Sequence, residues 1–231
     1  MQWHLWALAF LPAILVALYA RWRFSGAFKA CTQLETEGQM TGAKTSRILL
    51  DRNGMANIEL YETPYSLTDH FDSRRRCVFL SVPVAEKRSV AAVAIAAHVV
   101  AHAIQFKQDY RLFRLRMSLL SSMGWLTNFL LFWVVLGLLS EGTQKEFLLL
   151  GAGFVYLVFT AAILFTLRAE TDANRRALRE LLRHQIIQEA ETKTINRMLS
   201  ATAWLDMPGL LIAFFGLFRF FFARSNRRIE D

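Results

Sequence analysis

Residues 3–20, 118–140 and 147–167 contain no Asp, Glu, Lys or Arg, and charged side chains crowd the segments between them. The first of these runs would form about 27 Å of helix, close to the hydrocarbon thickness of a bilayer. Residues 200–223 form a fourth, weaker run interrupted by Asp206, Pro208 and Arg219. The first run lacks a basic leader and contains Trp3, Trp6 and Pro12, so it reads as a retained anchor rather than a signal peptide. Elsewhere the pattern changes. Residues 24–48 have mixed polarity and predict a helix lying against the membrane. Residues 48–50, the Asp51-Arg52-Asn53-Gly54 stretch and residues 55–61 read as strand, Asn-Gly turn, strand. A further strand is predicted over 76–84, ended by Pro83, and an Ala/Val-rich helix over about 89–110. There are no internal repeats.

The expected architecture is an α-helical integral membrane protein with about four transmembrane helices and a small α+β domain. Its parts are an anchor (1–20), the α+β domain (21–117), a transmembrane hairpin (118–167), a helix (168–199), and a last span with a basic tail (200–231). Composition agrees: 54% of the 231 residues are hydrophobic, including 19 Phe and 6 Trp. The net charge of +8 is not spread like a nucleic-acid-binding face, and no nucleic-acid partner is expected. It sits beside the apolar runs instead: Arg21 and Arg23 after the first, Lys107, Arg111, Arg114 and Arg116 before the second, Arg168, Arg175, Arg176, Arg179 and Arg183 after the third. The positive-inside rule then places 21–117 and 168–199 in the cytoplasm; the expected location is a bacterial-type inner membrane. Arg224, Arg227 and Arg228 run against that rule for the last span, which is read as fully crossing, tilted or re-entrant. Cys31 and Cys77 fall in the cytoplasmic part, where thiols stay reduced.

Candidate chemistry lies on the Ala/Val-rich helix. His98 and His102 are four residues apart, so both imidazoles lie on one helix face and can reach one metal. In an H-E-x-x-H motif the residue after the first histidine is a glutamate that takes the proton of a metal-bound water. Here that residue is Val99, which cannot accept a proton. The alternative for such a pair is a buried, hydrogen-bonded one with no metal. Topology adds a third group: two antiparallel spans joined by the short 141–146 loop return the chain to the side it left, bringing Glu170 near the surface that carries the histidines.

The order Leu67-Thr68-Asp69-His70-Phe71-Asp72, Ser89-Val90-Ala91-Ala92-Val93-Ala94-Ile95-Ala96-Ala97-His98-Val99-Val100-Ala101-His102-Ala103-Ile104-Gln105 and Glu170-Thr171-Asp172-Ala173-Asn174-Arg175-Arg176-Ala177 closely resembles the membrane-bound neutral zinc metallopeptidases of the YugP type. Their pattern reads L-S-D-H-Y-D-P, S-x-A-A-x-A-x-A-x-H-E-x-G-H-A-x-Q and E-F-D-A-S-R-R-A. The resemblance spans roughly Ser46 to Leu205. It implies a zincin-like cytoplasmic domain, with zinc held by His98, His102 and Glu170. The chain departs from the pattern at Val99, at Ala101 in place of the motif glycine, and at Ser73 in place of a proline.

Around this set, Asp172 is expected either to hydrogen-bond a ligand histidine or to pair with Arg175 or Arg176. His70 and Asp72 are candidate supporting groups, with His70 alternatively a turn residue. Asp206 reads as an interfacial or buried carboxylate. His4 is read at the interface, His184 on a solvated face, and the Phe214–Phe222 aromatics as lipid-facing. Three functions fit: a catalytically inactive homologue kept as a binding or accessory subunit with a structural zinc, an active peptidase using Asp69 or Asp72 as base, or a metal-free scaffold. The expected partners are the lipid bilayer and a membrane protein or complex, docked along a sheet edge near Phe79-Leu80-Ser81-Val82 or on the Phe214–Phe222 face.

Overall fold

A computed structural model describes residues 3–64 and 68–203. The protein is mostly helical with one small sheet. In chain order the elements are α1 (Trp3–Thr32), α2 (Gly42–Arg52), β1 (Glu59–Thr63), β2 (His70–Asp72), β3 (Cys77–Ser81), α3 (Val82–Ala85), α4 (Val90–Lys107), α5 (Arg111–Leu139), α6 (Gly142–Arg183), a 3₁₀ turn (Glu189–Glu191) and α7 (Thr192–Thr202). Of the fourth apolar run, residues 204–223 lie outside the described residues, as do Asp206, the Phe214–Phe222 aromatics and the basic tail.

The contacts divide the chain into two units. Restricted to the described residues, one holds 3–21 and 115–166 and the other 22–64, 68–114 and 167–203. In the first, Leu130 and Ala152 are buried between α5 and α6, with Leu126, Trp133, Val134 and Val155 packed around them. Gly137 and Gly151 each face a large side chain of the other helix. A Cβ at Gly137 would lie 2.9 Å from Leu149, and one at Gly151 would lie 3.2 Å from Trp133. The outward side chains of this unit are large and apolar, among them Trp125, Phe132, Leu139, Phe147 and Phe154.

The second unit is built around α4. Ser89 caps it, its hydroxyl accepting the N–H of Ala92 at 3.2 Å. Almost no polar residue interrupts the following Ala/Val/Ile run, so α4 has no solvent face and is packed by α2, α3, α7 and the sheet. Among the described residues it is the one helix long and apolar enough to cross a membrane, and 89% of it is buried, as in the core helix of a folded domain.

The strand–turn–strand expected over 48–61 is not formed. Residues 48–50 belong to α2, whose N-cap Thr41 accepts the Lys44 N–H at 3.2 Å. Asn53-Gly54 ends that helix instead of turning a hairpin. Gly54, at φ +64°, donates to the Asp51 carbonyl and Met55 donates to the Leu50 carbonyl. This is the pair of bonds that closes a helix through a left-handed glycine. Asn53 Nδ2 adds a third bond, to the Leu49 carbonyl at 2.9 Å.

The sheet order is β1-β3-β2, with β1 parallel and β2 antiparallel to β3. Phe79-Leu80-Ser81 is therefore in the central strand, paired along its length with β1 and at Phe79 also with β2, and not at an edge as expected. Cys77, Val78, Leu80 and Ser81 are buried there. The strand predicted to continue to residue 84 stops at Ser81, because Pro83 sits in the first turn of α3, where its missing N–H costs nothing.

Candidate metal centre

The core position of α4 decides what its two histidines meet. His98 and His102 are 7% and 5% exposed, and their rings lie edge to face, 4.7 Å apart. Glu170, 2% exposed, reaches both from α6: Oε2 lies 3.3 Å from His98 Nε2 and Oε1 lies 3.5 Å from His102 Nε2. Phe113 lies beside the His102 ring at 5.6 Å and Phe106 packs against Phe113, giving the site an apolar wall.

The far side of each ring is held by a carboxamide. His98 Nδ1 lies 2.8 Å from Asn174 Oδ1, and His102 Nδ1 lies 3.0 Å from Gln105 Oε1. Neighbouring acceptors fix which way both amides point. Gln105 Nε2 donates to the Ala169 carbonyl at 2.9 Å and to Asp172 Oδ2 at 2.8 Å, and Asn174 Nδ2 donates to the Leu199 carbonyl at 2.6 Å. Each amide thus presents its oxygen to a histidine, and each Nδ1 must be the donor. In the neutral ring the lone pair is then on Nε2, which faces Glu170.

Two imidazole lone pairs against a carboxylate set acceptor against acceptor, and a cation resolves this. A proton on either ring would give a charge-assisted hydrogen bond, normally about 2.7–2.9 Å long. The observed 3.3 and 3.5 Å are longer. Ligand atoms about 2.0–2.1 Å from a shared tetrahedral zinc are about 3.3 Å apart. All three ligand atoms lie within 4.8 Å of one another. The three residues fit a metal ion.

Gln105 and Asn174 are the supporting groups that sequence reasoning did not assign. Their signals are positional: Gln105 is three residues beyond His102, and Asn174 is four beyond Glu170, so helix geometry turns both toward the site. Asp172 acts one step further out, accepting from Gln105 and pairing with Arg176 at 2.5 Å; Arg176 in turn reaches Gln108 and lies over the Tyr110 ring. His70 stacks on Phe79, its Nδ1 2.7 Å from the Thr68 carbonyl, and Asp72 accepts the N–H groups of Arg74 and Arg75. Among the described residues, neither joins the group that could hold a metal. Val99 is 2% exposed, one residue after His98. His184, read as solvated, lies 3.2 Å from the buried Glu180, which also accepts from Asn53.

Two histidines one turn apart on a core helix, with a glutamate from a second helix, form the ligand set of a His₂Glu metallopeptidase centre. Residues 6–225 match the family model described as "Putative neutral zinc metallopeptidase", and the chain belongs to that family. It is 31% identical over 226 residues to a Bacillus subtilis (strain 168) protein named "Putative membrane protease YugP", covering 96% of this chain and 97% of that one. No solved structure gives a significant match.

Asp69 lies beside the sheet, accepting the Ser81 N–H at 2.7 Å and the Ser81 hydroxyl at 3.0 Å. Burial is the largest influence on its carboxyl and raises its pKa, against the lowering effect of the Ser81 bonds. The folded state therefore keeps this proton to a higher pH than the unfolded chain does. Stability from this group is fully present below the ordinary carboxylate range and lost as pH rises through the raised pKa. Thermal melts from pH 3.5 to 7 should show that Asp69→Asn removes this part of the pH dependence. Unchanged profiles would mean the group does not titrate as described.

Proposed function

We propose that this protein is a zinc-holding member of its family that does not hydrolyse peptides, retained in the cytoplasmic membrane as a binding or structural subunit. Val99 carries the reading. It is buried and apolar at the position after the first histidine, where the family pattern places the proton-accepting glutamate. A positioned general base is worth about 10²–10⁴-fold in rate. The carboxylates nearby in sequence are committed elsewhere: Asp69 to Ser81, Asp72 to the turn at Arg74 and Arg75, Asp172 to Gln105 and Arg176. Zinc bound by His98, His102 and Glu170 would then tie α4 to α6.

The membrane reading is supported by the outward Trp125, Phe132, Leu139, Phe147 and Phe154 of α5 and α6, which water would not favour and lipid would. The name of the Bacillus relative and the basic residues flanking the apolar runs point the same way. On this reading 3–20, 118–140 and 147–167 cross the bilayer, 21–117 and 168–199 are cytoplasmic, and a membrane protein partner docks on the aromatic faces of the spans.

Full-length protein in mild detergent, loaded with zinc, should leave casein intact. Zinc-dependent, chelator-sensitive cleavage that disappears in His98→Ala would overturn the proposal.

A further inference from the structure

One side chain of the site faces two ways. Asn174 presents its oxygen to His98 Nδ1 at 2.8 Å and its nitrogen to the Leu199 carbonyl, in the last turns of α7, at 2.6 Å. Thr202 closes the arrangement, its hydroxyl 2.7 Å from the same carbonyl and 3.4 Å from Asn174 Oδ1. All of this is buried: Leu199 is 0%, Thr202 2% and Asn174 8% exposed. The other histidine is held through a different residue: Gln105 anchors His102 to Ala169 and Asp172 on α6. A third helix therefore bears on His98 through Asn174.

We infer that α7 is a working part of the metal centre: Asn174 couples metal occupancy at His98 to the docking of α7. The inference rests on the metal-holding part of the proposed function and not on the absence of peptidase activity. Its physical basis is directional. A metal fixes the His98 ring through Nε2, and the fixed Nδ1–H fixes the Asn174 oxygen. A carboxamide held at its oxygen keeps its N–H aimed at the Leu199 carbonyl. By linkage, α7 released from that carbonyl lets Asn174 turn, and His98 loses the partner that orients it toward the metal. Asn174 is a positioning residue, and α7 both senses the metal and holds it.

The test uses the full-length protein in detergent, with zinc affinity measured by competition against a chromophoric chelator and amide hydrogen exchange followed over residues 192–203. In the wild type, zinc should slow exchange in this segment at least severalfold. Asn174→Ala should weaken zinc about 10–100-fold, the usual cost of losing a partner behind a ligand histidine, and should abolish the zinc-dependent protection. Asn174→Asp separates the two bonds, since a carboxylate still accepts from His98 Nδ1 but repels the Leu199 carbonyl. It should bind zinc about as well as wild type yet leave α7 exchange indifferent to zinc. Gln105→Leu should weaken zinc comparably but keep the protection of α7 once zinc is saturating. Wild-type α7 exchange that is identical with and without bound zinc would overturn the coupling while leaving the metal centre standing. Loss of the α7 response in Gln105→Leu at saturating zinc, or its persistence in Asn174→Asp, would do the same. A wild type that takes up no zinc would overturn the metal centre and the coupling together.

Discussion

Zinc will raise the thermal midpoint of the full-length protein, and a chelator will lower it. A ligand that binds only the folded state at a hundred times its Kd contributes about 2.7 kcal/mol. Each kcal/mol is worth about 2–4 °C for a chain of this size, so a shift of about 5–10 °C is expected. His98→Ala should make the midpoint indifferent to zinc. Glu170→Gln should do so too, with a difference of sign when metal is absent. The metal-free wild type holds a buried carboxylate against two imidazole nitrogens at 3.3 and 3.5 Å, and an amide can donate to one of them. Glu170→Gln should therefore melt no lower than metal-free wild type. Calorimetry with and without chelator checks both statements, and equal midpoints throughout would remove the metal from the account.

Gly42→Ala should cost at least about 3 kcal/mol or prevent folding. A Cβ on Gly42 would lie 2.2 Å from the Val84 carbonyl oxygen and 3.2 Å from that of Ala92. Both obstacles are backbone, so no rotamer change relieves them, and α2 would have to lift away from α3 and α4. Overpacking usually costs about 1–3 kcal/mol, and a clash with two backbone oxygens belongs at or above the upper end. Gly26 is the control. It lies within α1 with nothing within 4 Å of its would-be Cβ. Gly26→Ala should be neutral or stabilise by about 0.5–1 kcal/mol, through the better helix propensity of alanine. Comparable losses at both positions in denaturant titrations would refute the packing argument.

The parts of this structure that announce themselves locally are the ones the sequence discloses. Ser89 before an Ala/Val run marks the start of α4, and histidines four apart must share its face. The family pattern supplies Glu170, and the structure brings it to both rings. Asn53-Gly54 misleads because two different turns need the same residue: a hairpin and a helix C-terminus both call for glycine at positive φ. The inward face of α2 before Leu49 is made of Gly42, Thr45 and Ser46, which reveal no apolar helical period. The central place of β3 was equally hidden. Whether a strand is at an edge depends on which neighbours arrive, and β1 pairs with β3 only after the chain has passed through β2. Gln105 and Asn174 escaped notice because carboxamides occur everywhere. What gives these two their role is burial beside a histidine nitrogen, a property of the fold and not of the residue type.

The near-total enclosure of α4 has a kinetic consequence. A cation seated between His98, His102 and Glu170 would have no solvent-facing ligand through which to leave, and Phe106 and Phe113 stand on one flank. Exchange would wait on a local opening of the domain, so its rate would follow the free energy of that opening more than the strength of the metal–ligand bonds. Loading and release would accordingly be slow, and zinc added to or chelated from the folded protein would reach equilibrium only after many such openings.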